Sequence, residues 1–287
     1  MIAVVLVGGL GTRLRPLTDT VPKAMLPIAN RPFLERQIDH LAAHGIDRVI
    51  LACGYQPDSI REHFGDRLEY VVESRPLGTA GALALASGGL SQPFVACNGD
   101  VLTDLDLTAL IARHRACNAR ATLALHRVDD PGRYGVVVTA ADGAVTDFVE
   151  KPPGRAPANT INAGTYVLDP DVLSAVPPER EVSIEREVFP TLVGHGLYGF
   201  AQDCRWIDIG TPASFLEANL EAAGESGVVD PAAVIGAGAE VIGSVVGPRA
   251  EVGAGARVVR SVVLADGRVP SGEIVENAVV NHQGVVW

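Results

Sequence analysis

The sequence predicts an α/β domain built on an open mixed sheet, followed by a short parallel β-helix. Apolar runs of strand length alternate with segments of helical periodicity up to about residue 226. Beyond that point aliphatic residues recur every five or six positions. With 287 residues, of which 47% are hydrophobic, the chain can bury one large core and a smaller appended one.

The first part of the chain contains apolar runs that we expect to form buried strands. These runs are IAVVLV (2–7), RVILAC (48–53), LEYVVE (68–73), PFVACNGD (93–100), ATLALHRV (121–128), YGVVVTA (134–140), AGTYVLD (163–169) and LYGFAQ (197–202). Between them, FLERQIDHLAAHG (33–45) and LTALIARHRACNA (107–119) carry apolar residues at spacings of three and four. This periodicity predicts helices, and Gly45 is a candidate C-cap.

The tail contains an internal repeat with a period of 17 residues. Its aliphatic positions are Ile235, Val241, Val246, Val252, Val258, Val263, Val269, Val275, Val280 and Val286. A small residue stands two positions before each of them, with Glu273 the exception. The pattern predicts a triangular parallel β-helix of about three coils, each turning one aliphatic residue inward at every corner. We expect the first domain or a second subunit to cover its ends. Because both the sheet and the β-helix leave surfaces to cover, we also expect a homo-oligomer.

Charge and composition argue against several classes of protein. The formal net charge of -11 and the pI near 5.1 oppose binding to a nucleic-acid backbone. The first apolar run lacks a basic flank, and no apolar run approaches the roughly 20 residues of a membrane span, so we expect a cytoplasmic protein without membrane contact. The cysteines show no metal or redox spacing and are expected to stay reduced and buried. The histidines form no zinc-type set.

A glycine-rich loop, GGLGTRLRPLTDTVPKAMLP (8–27), directly follows the first predicted strand. Glycines in this position let backbone N–H groups approach a phosphate closely. The spacing matches neither the Walker loop nor the dinucleotide fingerprint. Arg13 and Lys23 nevertheless bring two positive charges to one anion site, and Pro22 fixes the backbone before the lysine. We expect Arg15 to be solvated or in a salt bridge.

The motifs of the chain, taken together, resemble the sugar-1-phosphate nucleotidylyltransferases. The opening GGLGTRLRPLT…PKAMLPIANRP resembles the N-terminal motif of that family. It is followed in the family's order by PLGTAGA (76–82), NGD (98–100), EKP (150–152), NAGTYVLDP (162–170), SIEREVFP (183–190) and WIDIGTP (206–212). PLGTAGA and SIEREVFP look most like the mannose-1-phosphate guanylyltransferases. The resemblance implies a Rossmann-like nucleotidyltransferase domain at 1–226 and a left-handed β-helix of hexapeptide repeats at 227–287.

The resemblance also implies a reaction and a set of residues that carry it. The family joins a nucleoside triphosphate to a sugar 1-phosphate and releases pyrophosphate, with Mg²⁺ held by residues matching Asp100 and Asp208. The implied catalytic residues are Arg13, Lys23 and Lys151. The implied nucleotide site comprises Val7, Gly8, Gly9, Gly11, Thr12, Arg13, Glu73, Pro76, Gly78, Thr79, Asn98 and Asp100. The implied sugar-phosphate site comprises Gly135, Glu150, Lys151, Asn162, Gly164 and Tyr166.

The preference for a base is argued from Glu73. Thymidylyl and uridylyl relatives carry a glutamine at the matching position. A carboxylate can only accept hydrogen bonds, which suits the N1–H and N2–H donors of guanine, so GTP is the favoured nucleotide. Mannose 1-phosphate is the favoured acceptor. A manno-heptose phosphate, a cyclitol phosphate, and glucose 1-phosphate with dTTP or UTP stay open at this point.

Three other classes of protein fit the sequence less well. A non-catalytic sugar-nucleotide-binding regulator would be favoured by loss of a charged site residue, but Lys23, Asp100, Lys151 and Asp208 are all present. An acyltransferase built on a β-helix would need a histidine base, and His282 is the only histidine in the tail. A nicotinamide-dependent dehydrogenase would show an acidic residue at the end of its second strand, whereas the second predicted strand here, RVILAC (48–53), ends in a cysteine.

Overall fold

The computed structural model describes residues 1–9, 11–19, 21–54, 57–178 and 180–287. These residues form two compact units. Unit 1 comprises Met1–Gly9 and Gln37–Trp206, and unit 2 comprises Leu10–Arg36 and Ile207–Trp287. The glycine-rich loop from Gly11 onward therefore belongs to the same unit as the C-terminal tail, whereas Gly8 and Gly9 belong to unit 1. The predicted fold boundary between residues 226 and 227 stays a prediction.

In the described ranges, eight of the thirteen strands and two of the six helices of the α/β part coincide with segments expected from the sequence. The strands are β1 (Ile2–Leu6), β2 (Pro27–Ile28), β3 (Arg31–Pro32), β4 (Arg48–Cys53), β5 (Glu69–Val72), β6 (Phe94–Asn98), β7 (Val101–Thr103), β8 (Ala121–Arg127), β9 (Gly135–Thr139), β10 (Val145–Glu150), β11 (Thr160–Leu168), β12 (Leu197–Ala201) and β13 (Trp206–Asp208). The helices are α1 (Phe33–Ala43), α2 (Asp58–Phe64), α3 (Gly78–Ala86), α4 (Leu107–Ala116), α5 (Phe189–Leu192) and α6 (Pro212–Ala223).

Unit 1 is organised around a mixed sheet. Its strands follow the order β10-β9-β11-β6-β1-β4-β5, with β8 paired to β11 and β12 paired to β8. Strands β6, β1, β4 and β5 are parallel, whereas β11 runs antiparallel to β6 and β8. The core contains Val4, Leu83, Phe94, Tyr166 and Phe189, all fully buried. The expected Rossmann-like α/β class is confirmed.

Several elements of unit 1 were missing from the sequence prediction, namely β7, β10, α2, α3 and α5, and the reason is visible for β10 and α3. Strand β10 has a polar face and a bulge between Val145 and Asp147, which interrupts the apolar pattern. Helix α3 is nearly all apolar and buried on most sides, so it shows no amphipathic period. A prediction based on periodicity misses β10 and α3, because neither shows the regular alternation of buried and exposed residues that a half-buried strand or helix has.

Glycines bring the carboxyl ends of three parallel strands together. Val7 N donates to Ala52 O at 2.9 Å, and Gly99 N donates to Leu6 O at 2.8 Å. A Cβ at Gly8 would lie 3.0 Å from Gly54 N, and a Cβ at Gly99 would clash with Leu6 O. The strand ends can approach this closely only without side chains at these positions. Residues 98–100 are thereby fixed beside the end of β1.

The tail in unit 2 forms a parallel β-helix. Its strands are β14 (Val228–Val229), β15 (Val234–Ile235), β16 (Glu240–Ile242), β17 (Val245–Val246), β18 (Glu251–Val252), β19 (Arg257–Val259), β20 (Val262–Val263), β21 (Arg268–Val269), β22 (Ile274–Glu276), β23 (Val279–Asn281) and β24 (Gly284–Val285). Successive strands in the sheet β14-β17-β20-β23 pair Val228 with Val245, Val245 with Val262 and Val262 with Val279, a constant step of 17 residues. The period read from the sequence is confirmed.

The interior of the β-helix follows the predicted aliphatic positions except at its ends. The central residues from Val246 to Val280 in that set are buried, whereas Val241 and Val286 are half-buried. Ile235 is 40% exposed, so the prediction that it points into a covered core is wrong. Serines at two of the small positions add a polar ladder. Ser261 N donates to Ser244 Oγ at 3.0 Å, and Ala278 N donates to Ser261 Oγ at 3.1 Å.

A short hairpin, β2–β3, is fastened to the rest of unit 2 by two asparagines. Its turn residues Ala29 and Asn30 have positive φ values of 45° and 63°. Ala29 N donates to Asn219 Oδ1 at 2.9 Å, and Asn219 Nδ2 donates to Phe215 O at 3.0 Å. Asn30 Nδ2 donates to Val246 O at 2.8 Å. The chain just after Lys23 is therefore anchored on both α6 and the β-helix.

Two further expectations concern the membrane and the cysteines. Within the described ranges, no helix is long and apolar enough to cross a membrane. Cys53 and Cys97 are buried, and burial raises the pKa of their thiols to about 11 and about 12. Cys117 and Cys204 are half-buried, so the prediction of burial is wrong for those two.

We expect Asn219→Ala to destabilise the protein by about 1–3 kcal/mol, because Asn219 is 1% exposed and its loss leaves the buried Ala29 N–H without an acceptor. Chemical denaturation monitored by circular dichroism measures this change. Asn159→Ala, at an exposed position, is the matched control and should shift the midpoint little. Equal midpoints for the two variants would contradict this account of the hairpin anchor.

Candidate active site

The glycine-rich loop of unit 2 is held in shape by its own side chains. Gly11 has a φ of 60°, and a Cβ there would lie 2.9 Å from Thr18 Cγ2. Thr18 Oγ1 donates to Gly11 O at 2.8 Å. A 3-10 turn at Thr12–Leu14 follows, with Leu14 fully buried. Because Leu14 anchors this turn in the core, Arg13 beside it occupies a fixed place in the loop.

Arg13, Lys23 and Asp208 meet around Gly210 within unit 2. Lys23 follows Pro22 in a second 3-10 turn, and its Nζ lies 4.0 Å from Asp208 Oδ1. A Cβ at Gly210 would lie 3.1 Å from Asp208 Oδ1 and 3.2 Å from Arg13 Nη2. The side chains of Lys23 and Asp208 are 12% and 25% exposed. Two cations and one carboxylate thus lie close together, with Lys23 and Asp208 mostly buried and Arg13 exposed.

Arg15 lies apart from this cluster. Its Nε is 3.3 Å from Asp19 Oδ1, and both side chains are exposed. The expectation of a solvated or salt-bridged residue is confirmed.

The segment from Glu73 to Gly78 forms a tight loop in unit 1, ahead of α3. Glu73 Oε2 accepts a hydrogen bond from Leu77 N at 2.9 Å. Partial burial raises the pKa of the Glu73 carboxyl, the Leu77 N–H opposes this, and the nearby charge of Glu181 adds to it. Gly78 has a φ of 72°, and a Cβ there would lie 2.5 Å from Val182 O, so only glycine fits. Pro76 lies exposed on this loop.

The hydroxyl of Thr79 is engaged inside the protein. Thr79 Oγ1 donates to Glu185 Oε2 at 2.8 Å and accepts from Ile184 N at 2.8 Å. Its donor hydrogen is therefore used, and a nucleotide contact at this residue would have to come from the backbone. Glu185 was not among the sequence-predicted site residues, although the SIEREVFP motif contains it.

Asn98 and Asp100 follow β6, beside the end of β1. Asn98 O accepts from Gln37 Nε2 at 2.9 Å. Gly164 makes room for the Asn98 side chain, since a Cβ at Gly164 would lie 2.7 Å from Asn98 Nδ2. Asp100 is half-buried. At the end of the neighbouring β1, a Cβ at Gly9 would meet nothing within 4 Å, so this glycine faces open space.

Glu150 is the last residue of β10 in unit 1, and Lys151 follows it directly. Gly135 leaves space for the carboxylate, because a Cβ there would lie 2.8 Å from Glu150 Oε2. Lys151 has a positive φ of 51°, its side chain is 58% exposed, and its Nζ lies 3.7 Å from Glu150 Oε1. Burial raises the pKa of Glu150, the charge of Glu185 raises it further, and Lys151 and Arg186 oppose both.

Tyr166 does not line an open pocket, as the resemblance had implied. It is fully buried, and its hydroxyl accepts from Asn162 Nδ2 at 2.9 Å. Asn162 Oδ1 accepts in turn from Gly164 N at 3.0 Å. Tyr166 therefore holds Asn162 in place rather than offering surface to a ligand. Its buried setting was hidden in the sequence because a residue in a strand can lie on either face of the sheet.

The donor chemistry of the two expected metal ligands fits Mg²⁺. Within the part of the chain that the structure describes, no group of three or more histidine, cysteine or acidic side chains could hold a metal ion by itself. Mg²⁺ does not require one, because it commonly binds one or two carboxylates together with substrate phosphates. Asp100 and Asp208 are half-buried carboxylates, and Asp208 Oδ1 is itself a buried atom.

Comparison with known proteins identifies the family. The profile of the nucleotidyl transferase family matches residues 2–225. The chain therefore belongs to the nucleotidyl transferase family, as the ordered motifs had indicated.

Two individual relatives show which members of the family the chain resembles. The chain is 44% identical to a mannose-1-phosphate guanylyltransferase of Mycobacterium tuberculosis over 76% of this chain and 64% of that protein. It is 39% identical to a mannose-1-phosphate guanyltransferase of Kluyveromyces lactis over 85% of this chain and 71% of that protein. The match therefore spans slightly less than two thirds of the Mycobacterium relative. The expected likeness to this subgroup is confirmed.

A solved structure shares the fold. The crystal structure of HddC from Yersinia pseudotuberculosis complexed with GMP-PN is 31% identical, with a TM-score of 0.65. The likeness covers 77% of this chain and 98% of that one.

We expect the pKa of Glu150 to lie above the usual range of a glutamate, since burial and Glu185 both disfavour its charged form. Lys151→Met removes a charge that favours the carboxylate and should raise this pKa further. Carboxyl NMR titration measures it. Arg133→Met, which removes a cation stacked on Tyr134, is the control and should leave it unchanged. An unchanged or lowered pKa in Lys151→Met would contradict the geometry described for this pair.

Proposed function

We propose that the protein transfers a guanylyl group from GTP to mannose 1-phosphate, releasing pyrophosphate and forming GDP-mannose. The observation that carries this proposal is the meeting of Arg13, Lys23 and Asp208 around Gly210. Two cations beside a carboxylate suit a triphosphate that arrives with a divalent metal. The names of the two relatives supply the base and the sugar.

The triphosphate half of the reaction depends on charge. An oxygen of the sugar phosphate attacks the α-phosphorus, the bond between the α-phosphorus and its bridging oxygen breaks, and pyrophosphate leaves with the electron pair. Arg13 and Lys23 would stabilise the negative charge that accumulates on the leaving group. Lys23 has little freedom to move, since its side chain is mostly buried and lies close to Asp208. A cation that is already in place needs no reorganisation when the bond breaks.

The sugar-phosphate half depends on residues at the ends of β10 and β11. Lys151 is exposed and would bind the phosphate of the acceptor. Glu150 would accept hydrogen bonds from sugar hydroxyls, in a space that Gly135 leaves open. Asn162, held by Tyr166, would present its amide to the sugar. These groups bind and orient the acceptor, which is the main requirement when both reactants are anions.

Mg²⁺ is the proposed cofactor, held by Asp100 and Asp208. When bound, it would neutralise and orient phosphate oxygens of the substrates. The protein residues would fix its position through carboxylates that are already partly desolvated.

Guanine is favoured over the pyrimidines by Glu73. Because Leu77 N holds Oε2, the carboxylate has a defined direction and can present acceptors to the N–H donors of guanine. The GMP-PN complex of the Yersinia structure also supports a guanine nucleotide. A manno-heptose or cyclitol phosphate acceptor, and a thymidylyl or uridylyl transfer, are outcomes of the test below. A cytoplasmic location and a homo-oligomer stay predictions, as does the expectation that neither nucleic acid nor membrane is a partner.

Pyrophosphate release tests the proposal directly. GTP, dTTP, UTP, ATP and CTP are each offered with mannose, glucose and manno-heptose 1-phosphates in the presence of Mg²⁺. We expect the fastest release with GTP and mannose 1-phosphate. Release with GTP and only the heptose phosphate would change the acceptor but keep the reaction. Release with none of the pairs would contradict the proposal and favour a sugar-nucleotide-binding regulator.

The role of Glu73 is tested by Glu73→Gln. We expect the ratio of kcat/KM for GTP to that for dTTP or UTP to fall by about tenfold, because the amide replaces an acceptor with a donor. Glu181→Gln is the matched control, since Glu181 affects Glu73 only through its charge. An unaltered ratio in Glu73→Gln would remove the physical argument for guanine.

A further inference from the structure

Glu185 is fixed by two hydroxyl groups at the start of a short π-helical turn, Ile184–Val188. Its Oε2 accepts from Thr79 Oγ1 at 2.8 Å and from Ser183 Oγ at 2.7 Å. The side chain is half-buried. Hydrogen bonds to a carboxylate are stronger than those between neutral groups, so this geometry is well defined.

On one side, Glu185 belongs to a strap that is hydrogen-bonded to the beginning of α3. We call residues 182–185 the strap. Val182 N donates to Leu77 O at 2.8 Å, and Ala80 N donates to Val182 O at 2.9 Å. Ile184 N donates to Thr79 Oγ1 at 2.8 Å. The strap therefore fixes the segment that carries Gly78 and Thr79, both of which are expected nucleotide-site residues.

On the other side, the turn that carries Glu185 leads directly to Phe189, whose ring centroid lies 5.0 Å from that of Tyr166 in the segment expected to bind the sugar. The Tyr166 hydroxyl already accepts from Asn162, so its own hydrogen is available for an acceptor. After burial, the charge of Glu185 is the largest influence that raises the pKa of Tyr166, ahead of Glu150 and Asp100. Glu185 is also the charge that most raises the pKa of Glu150. All of these residues belong to unit 1.

We propose that Glu185 is a positioning residue that joins the nucleotide segment, through Thr79, to the sugar segment, through Tyr166 and Asn162. This inference rests on the proposed function for the identity of the two segments. It assigns to Glu185 no contact with either substrate. Its consequence is that the two segments are ordered together, so that loss of the carboxylate loosens both.

The first test measures hydrogen exchange in the protein without substrates. Glu185→Gln keeps the size of the side chain and removes its charge. We expect faster exchange in residues 79–82 and also in 162–166. Glu62→Gln is the matched control, because Glu62 is an exposed glutamate on α2 of the same unit. It should leave both segments as in the wild type. Wild-type exchange in Glu185→Gln, or equal loosening in both variants, would overturn the proposal.

A second variant keeps the test decisive if Glu185→Gln does not fold. Thr79→Val removes both the donor to Glu185 and the acceptor of Ile184 N, and it changes no side chain in the sugar segment. We expect it to speed exchange in residues 162–166, which contain no atom bonded to Thr79. Unchanged exchange in that segment would overturn the proposal, since it would show that the nucleotide side can change without effect on the sugar side.

Kinetics separates this inference from the proposed function. In an enzyme that transfers guanylyl groups, Glu185→Gln should raise the KM of both substrates by about tenfold, a size common for coupling between sites. Glu62→Gln should change neither KM by more than about twofold. If the wild type transfers no guanylyl group but hydrogen exchange in Glu185→Gln rises as expected, the proposed function is contradicted and the link between the two segments is supported. Normal transfer with unresponsive exchange would sink the link alone.

Discussion

The placement of positive charge in an acidic chain is the constraint on which the rest of the structure depends. The formal net charge is -11, and Lys23 and Lys151 are the only two lysines in the sequence. All other permanent cations on side chains are arginines, and the compact ammonium group is reserved for the two expected phosphate sites. An acidic surface repels phosphates, so an anion binds such a protein only where cations are fixed in advance.

The fold supplies this fixation through close backbone approaches and buried polar bonds. Gly11 and Gly210 leave space for Thr18, Arg13 and Asp208, which larger residues would fill. The hairpin just after Lys23 is anchored by Asn219 and Asn30, so the β-helix and the glycine-rich loop form one unit. In unit 1, the strap at residues 182–185 performs the corresponding task for the start of α3. These contacts fix the positions of the charged groups and of the site segments; they do not make any single group a stronger ligand.

Much of the architecture could be predicted from the sequence, because it leaves a periodic trace. The 17-residue repeat fixed the β-helix register, and short apolar runs located most strands of the sheet. Helix α3 left no trace because it is buried on most sides, and β10 because a bulge breaks its alternation. The end residue Ile235 deviates since no preceding coil lies over it. A periodic sequence pattern predicts whether a residue type suits a buried position, but it does not predict where a β-helix or a sheet ends.

The candidate site was only partly predictable for a related reason. The charges beside the glycine-rich loop indicated Arg13 and Lys23, and the resemblance to the family implied Asp208. The structure brings these three residues together. The sequence did not predict the hydrogen-bond partners that depend on tertiary packing. Thr79 is bonded to Glu185, more than a hundred positions away, and Tyr166 is enclosed in the core. A motif names residue types, whereas their hydrogen bonds depend on which segments the fold brings side by side.

Competitive labelling of the two lysines tests the central claim most directly. Reductive methylation followed by peptide mass spectrometry can modify only Lys23, Lys151 and the α-amino group of Met1, which serves as an internal control. The account predicts that GTP with Mg²⁺ suppresses labelling of Lys23, that mannose 1-phosphate suppresses labelling of Lys151, and that Met1 is unaffected. Labelling of both lysines at rates independent of either ligand would contradict the assignment of the two phosphate sites.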